Sequence, residues 1–418
     1  MDADQIHDEV LDQYTNHVNP YLARLMNFAG FPVEARAEGC YLFDHEGRRF
    51  LDCLGGYGVY SLGHRHPKVI EAVKRQLDIM PMSGKAFFSA GQAKLATKLA
   101  AISPMGLEFT FFSNSGTEAV EAALKFAKAT TKRSKIVATD GGYHGKTIGA
   151  LSVTGREKYR KPFEPLMPGP EFVDFGDSEA MRNAIDDTTA AVIIEVIQGE
   201  GGIHIAPDGY LTMIRERCTA TGALMIVDEV QTGLARTGKM FACEWEGIEP
   251  DIMTLAKCLS GGVIPIGVTM GTPRVWEAVF GENPLAHTST FGGNPLACAA
   301  GLAALEVVEE EDLVNRSLEV GGVLKQGLEK SRERFPELIK EVRGRGLMIG
   351  VEFTMDDVGE LTIAQMLKRG LVAAYTLNNR RVIRFEPPLI MTLDEAGWAA
   401  DTFQDALAET AELLAALV

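Results

Sequence analysis

Ala223-Leu-Met-Ile-Val-Asp228-Glu229-Val230-Gln231-Thr232-Gly233 decides the architecture, because a short, wholly apolar run ends in an acidic pair and then a loop. A strand apolar on both faces is covered by helices on both sides, as in parallel sheets. Outward from it, Ile136 to Ala138, Ala191 to Ile194 and Ile252 to Leu255 repeat the pattern. Amphipathic stretches such as Ala119 to Ala129 and Tyr210 to Thr219 lie between these runs. That alternation predicts an α/β domain with a mainly parallel sheet sandwiched by helices. Ligands of such sheets bind beyond the carboxyl ends of the strands, which places Asp228 where a ligand would sit.

Two more places carry chemistry. Ile252-Met-Thr-Leu-Ala256 runs straight into Lys257, followed by the small residues Ser260-Gly-Gly262. A lysine at the mouth of a buried strand is desolvated, which lowers its pKa and suits it to Schiff-base chemistry. Ser113-Asn114-Ser115-Gly116-Thr117-Glu118-Ala119 opens a helix, and free N–H groups at a helix start make a phosphate site. Each has an ordinary alternative: a solvated carboxylate, a lysine with a snorkelling stem, and a plain N-cap.

The flanks read differently. Gln5 to Gly30 is a polar, partly helical arm, and Ala37 to Leu54 a hairpin turning at Asp44 to Arg48. Gly55-Gly-Tyr-Gly58 reads as functional loop. After Leu313 the pattern is helix, strand Leu347 to Phe353, helix, and strands around Leu371 to Ala374 and Val382 to Phe385, a smaller α+β domain.

The 418 residues exceed what one core usually organises. A formal charge of −16 argues against nucleic acid or an anionic membrane as partner. Six scattered cysteines without metal spacing, the lack of a signal-like amino terminus, and no run of roughly 18 apolar residues predict a cytoplasmic chain. His64 and His66 have no carboxylate or cysteine at matching spacing, so no metal site is expected. The acidic run Glu309 to Asp312 reads as a solvated helix end, and Ala297 to Ala304 as tight helix packing.

Taken together, a phosphate cradle, an acid at one strand mouth and a lysine at another, in this order, resemble the class III aminotransferases of the fold type I pyridoxal-phosphate enzymes. Leu54-Gly-Gly-Tyr57, Gly63-His-Arg-His-Pro67, Gly142-Tyr-His-Gly-Lys146, Glu195-Val-Ile-Gln-Gly-Glu-Gly-Gly202 and Thr290-Phe-Gly-Gly-Asn-Pro-Leu296 extend the resemblance over nearly the whole chain. Leu377-Asn-Asn379, Arg384-Phe-Glu-Pro-Pro388 and Lys239-Met-Phe-Ala-Cys-Glu244 look most like the putrescine (diamine) group.

The resemblance implies a domain division of 1–66 (arm and hairpin joining the small domain), 67–311 (cofactor-binding domain) and 312–418 (small domain). It implies pyridoxal 5'-phosphate held through a Schiff base on Lys257, with Asp228 on the ring nitrogen and Gln231 on the ring hydroxyl side. Val230 would pack beneath the ring, Tyr143 would stack above it and His144 would stand beside it. Ser115, Gly116 and Thr117 would hold the phosphate, and Thr290 would reach it from the other subunit of a homodimer or dimer of dimers. Tyr57 would line the amine pocket, and Lys146, where family members with amino-acid donors often carry an arginine, is a substrate-side residue that fits a diamine better than ornithine or acetylornithine. Glu200 would mask Arg384 while an amine is bound and release it for the carboxylate of 2-oxoglutarate, the alternative being a permanent ion pair. The implied reaction moves a terminal amine of a diamine to this 2-oxo acid. Ornithine, acetylornithine, 4-aminobutyrate and aldehyde-aminating roles stay open, as do an aminomutase or racemase and a non-catalytic binding protein.

Overall fold

A computed structural model describes residues 3–416. The run 224–227 is fully buried and forms the strand Leu224–Asp228 at the centre of a seven-stranded sheet. Thr189–Ile194 lies parallel on one side, with Lys135–Thr139 and Pro170–Val173 beyond it. Ile252–Leu255 lies parallel on the other. Ile226 is in register with Ile193 and Ile252, so apolar rows cross the sheet and meet the helices covering it. The sheet is mainly parallel and sandwiched by helices, the α/β architecture expected from the sequence.

Three strands of this sheet were hidden in the sequence: Phe109–Ser113, Pro170–Val173 and Gly267–Gly271. Gly267–Gly271 runs antiparallel between Ile252–Leu255 and Phe109–Ser113. Its terminal glycine obscured it, yet a Cβ at Gly267 would lie 2.2 Å from the Ser115 carbonyl oxygen. Pro170–Val173 is an edge strand, where a leading proline forfeits no ladder bond.

The hairpin pairs Tyr41–Asp44 with Arg49–Asp52, and the Asp44 carboxylate accepts from the N–H groups of Glu46 (3.0 Å) and Arg48 (2.9 Å) to close the turn. The strand expected over Leu371 to Ala374 is divided. Leu371–Val372 pairs in parallel with Arg49–Asp52, whereas Ala374–Tyr375 joins Val382–Phe385 in an antiparallel sheet with Met348–Phe353 and Ile339–Arg345. Gly55–Gly58 is a tight left-handed turn, with φ 57°, 59°, 60° and 83° along it.

The amino-terminal arm consists of helices Ala3–Gln13 and Pro20–Phe28 around a π-helical turn, Tyr14–Val18. Reading it as polar needs correction: Tyr14, Val18, Tyr21, Leu22, Leu25 and Phe28 stand exposed. The acidic run ends the helix Pro295–Glu310 and is more than solvated, since Glu309 and Glu310 pair with Lys98 and Lys68. His64 Nε2 sits 2.8 Å from the Asp52 carboxylate. No helix among the described residues is long and apolar enough to cross a membrane.

Candidate active site

Asp228 is delivered by its strand to the floor of a cavity of about 610 Å3. Its Oδ1 accepts from the Thr254 hydroxyl at 2.9 Å and the Val230 N–H at 3.1 Å. Its Oδ2 lies 2.7 Å from His144 Nδ1. A carboxylate only accepts, so Nδ1 carries the proton. Burial disfavours the His144 imidazolium, but the Asp228 hydrogen bond and charge outweigh it and the pKa is raised. His144 Nε2 is buried without a partner.

Lys257 follows the neighbouring strand through Ala256 and adopts φ 46°, a left-handed conformation in a lysine. Such backbone costs about 1–3 kcal/mol and is held by surrounding structure, here the 3-10 turn Lys257–Ser260. Burial lowers the pKa of its amine, with the charges of Glu386 and Glu200 opposing. A lowered pKa means free amine at lower pH. Cofactor capture by the apo-protein is therefore expected to reach half its limiting rate below the ordinary lysine value of 10.5. Reconstitution rates followed by absorbance across pH check this.

The helix Gly116–Thr131 starts at the cavity, with Ser115 as its N-cap accepting from the Glu118 N–H at 3.3 Å. The first N–H groups of a helix lack intrahelical partners and, with the dipole, favour an anion. A Cβ on Gly116 would stand 3.0 Å from Val230 Cγ1, so Val230 would have to give by a few tenths of an ångström to admit one. Thr117 Oγ1 is 2.8 Å from the Thr147 hydroxyl.

Ser115, Gly116, Thr117, Tyr143, His144, Lys146, Asp228, Val230, Gln231 and Lys257 thus line one cavity, though chain segments far apart supply them. Lys146 Nζ lies 4.6 Å from the centroid of the Tyr159 ring, over its face. Glu200, Arg384 and Tyr57 form an adjoining group. Arg384, with a side chain only 1% exposed, is hydrogen-bonded through Nη2 to Glu200 Oε2, the same oxygen that accepts from the Leu377 N–H at 2.8 Å. Arg343 Nε donates to the Gly202 carbonyl at 2.9 Å and braces the turn after Glu200. The Tyr57 ring centroid is 5.0 Å from the Arg384 guanidinium carbon, and Tyr57 is 47% exposed. Thr290 is exposed and lies outside the cavity of its own chain.

Two carboxyl groups escaped the sequence reading. Glu195 is buried beside the cavity and accepts from the N–H groups of Tyr143 (2.9 Å) and Gly199 (3.1 Å). Burial pushes it up to about 7. Glu386 is buried behind Gln231, whose Nε2 donates to both its oxygens at 2.7 and 2.8 Å. Both lay inside quoted motifs, but nothing local marked them, since their partners are remote in the chain.

The residues present fit a phosphorylated pyridine aldehyde: an anion-favouring helix start, a desolvated amine, a carboxylate backed by His144, and an orphaned imidazole nitrogen facing no protein partner. The cavity volume falls in the usual cofactor range of roughly 300–1,000 Å3. Fold and site together define a pyridoxal-phosphate-dependent transferase.

The aminotransferase class-III profile matches residues 27–407. Ornithine aminotransferase from Toxoplasma gondii is 34% identical over 91% of each chain, with a TM-score of 0.87. Adenosylmethionine-8-amino-7-oxononanoate aminotransferase from Methanocaldococcus jannaschii is 30% identical over 96% of this chain and 99% of its own, with a TM-score of 0.90. A Bacillus anthracis aminotransferase is 29% identical over 98% and 100%, also with a TM-score of 0.90. The chain belongs to the class III aminotransferases, and its cofactor is pyridoxal 5'-phosphate.

Proposed function

We propose that this aminotransferase takes the terminal amino group of a diamine of putrescine or cadaverine type and passes it to 2-oxoglutarate. The observation that carries the reading is Arg384. Its guanidinium is buried and hydrogen-bonded to Glu200, while Nε and Nη1 have no hydrogen-bond partner. With Glu200 in place, a donor lacking a carboxylate meets Arg384 already paired. With Glu200 turned away, the planar fork can grip a carboxylate in bidentate fashion.

The remaining roles follow from position. Lys257 holds the cofactor covalently, and Ser115, Gly116 and Thr117 hold its phosphate. Tyr143 and Val230 flank the ring, and His144 stands behind Asp228. Gln231 offers an N–H to the ring oxygen. The cofactor supplies an electron sink for negative charge on the substrate carbon next to nitrogen. Asp228 keeps the ring nitrogen protonated, which that sink requires. Lys257 Nζ carries the proton away from that carbon and returns one at the end of the half-reaction. Tyr57 lines the amine side. Thr290 reaches the phosphate across a homodimer, or within a dimer of dimers. The exposed apolar side chains of the arm, with Phe87, Phe88 and Phe291, support an apolar interface.

A second reading, an amino-acid donor such as ornithine, is favoured by the exposed Lys146 ammonium on the cavity lining, which would attract a carboxylate. Putrescine, cadaverine, ornithine, acetylornithine and 4-aminobutyrate assayed against 2-oxoglutarate, with glutamate as readout, separate the two. The diamines are expected to lead, and a clear lead for ornithine would replace the first reading with the second. Arg384→Lys is expected to raise the KM for 2-oxoglutarate about 10- to 100-fold, the worth of a charge-assisted hydrogen bond. The donor half-reaction, measured in single turnover, should stay near wild type. Equal loss in both half-reactions would make the pair purely structural.

A further inference from the structure

Glu386 has no part in the roles above, yet it is among the most enclosed carboxyl groups of the protein, with a side chain 0% exposed. It ends the strand Val382–Phe385, where its backbone N–H donates to the Cys53 carbonyl at 2.7 Å and Pro387 follows. Its nearest cation, Arg384 Nη1, is 3.6 Å away and makes no hydrogen bond to it. Both of its oxygens are instead spent on a single atom, Gln231 Nε2.

That choice has a chemical consequence. A side-chain amide has two orientations of nearly equal shape, and a carboxylate accepts but cannot donate. Only the orientation that turns Nε2 toward Glu386 is satisfied. The other would set the Gln231 carbonyl oxygen against a carboxylate, burying two acceptors face to face. On the far side, Gly199 leaves room for the carbonyl end: a Cβ there would lie 1.9 Å from Gln231 Oε1. The amide is thus tied at its nitrogen end and has space for its oxygen beside Gly199. Because Nε2 carries two N–H bonds and Glu386 draws on one face of it, the second is left for the cavity that Gln231 lines.

We propose that Glu386 is a positioning residue that fixes the orientation of the Gln231 amide, so that Gln231 presents a donor, never an acceptor, to the cofactor's ring oxygen. This rests on the reading of Gln231 as a contact of that oxygen. The ring oxygen is an acceptor when deprotonated, and an amide free to turn would offer it a repelling carbonyl for part of the time.

Glu386→Gln is the discriminating variant. It keeps size and packing, but an amide at 386 can accept through Oε1 or donate through Nε2, so either orientation of Gln231 is satisfied. The measurement is the rate of cofactor release from the holoenzyme, followed by absorbance after dilution into excess competing apo-protein of an unrelated pyridoxal-phosphate enzyme. Glu386→Gln is expected to speed release about fivefold, one ordinary hydrogen bond's worth. Gln231→Ala should speed it at least as much, and the double variant no further than Gln231→Ala, because Glu386 acts through Gln231. Glu386→Asp, which still only accepts, should release more slowly than Glu386→Gln.

Unchanged release in Glu386→Gln beside faster release in Gln231→Ala overturns the proposal and leaves the Gln231 reading standing. Additive effects in the double variant overturn it too, since a packing or charge role needs no Gln231. Unchanged release in Gln231→Ala removes the Gln231 reading and the proposal with it. Should Glu386→Gln fail to fold, Glu386→Asp against Glu386→Asn repeats the comparison one carbon shorter.

Discussion

Lys257→Ala is expected to lower amino transfer by at least about 10⁴-fold, the upper end of what a positioned acid–base group contributes. The loss is compound. Nζ is the only amine that the strand Ile252–Leu255 delivers to the cavity, so the covalent hold and the proton carrier disappear together. No lining group replaces it: Lys146, the other lysine of the cavity, is exposed and turned over the Tyr159 ring. Glutamate formed in a single turnover measures the loss. Borohydride treatment of the wild type, followed by peptide mapping, should place the trapped adduct at position 257. Turnover within about tenfold of wild type would transfer the role to another group.

Asp228→Asn is expected to slow the same turnover roughly 10²–10⁴-fold. Removing one member of a buried charged pair costs about 3–5 kcal/mol, and each 1.36 kcal/mol is a tenfold change in rate. The substitution is nearly isosteric: the asparagine oxygen can keep the Thr254 and Val230 contacts of Oδ1, while the amide nitrogen in place of Oδ2 can donate to His144 in its other tautomer, so the scaffold should survive. What disappears is the negative charge. It raises the His144 pKa against the effect of burial in the free site, and would keep the ring nitrogen protonated when the cofactor is bound. A cofactor methylated on that nitrogen, and so permanently cationic, should recover part of the rate in Asp228→Asn. Failure to recover any would assign Asp228 a purely steric role.

The central strands were legible because complete burial leaves an unambiguous trace: Val192, Ile193 and Ile194, or Met225, Ile226 and Val227, cannot face water on either side. Asp228 and Lys257 were legible for a related reason, each being the first polar residue after such a run. Gly267–Gly271 left no such trace, because the glycine at its start answers to the Ser115 carbonyl rather than to strand propensity. The division between Leu371–Val372 and Ala374–Tyr375 depends on which partners each half finds, and periodicity does not encode partners. Glu386 was missed on the same account. It meets Gln231 from 155 residues away, and only the folded chain shows that a glutamate before two prolines is sealed from solvent.

The parallel pairing of Leu51 with Leu371 has a bearing on how the chain is made. A ribosome releases the hairpin early, while the segment that completes its sheet emerges only near the end of synthesis. Until then the outer edge of Arg49–Asp52 is an open seam of unpaired backbone groups, the kind that recruits strangers. Productive folding should therefore be late and length-dependent, as expected where contacts join distant parts of a chain. Translation products cut short before Leu371 should fall to aggregation or chaperones, even with every residue of the sheet beneath the cofactor already synthesised.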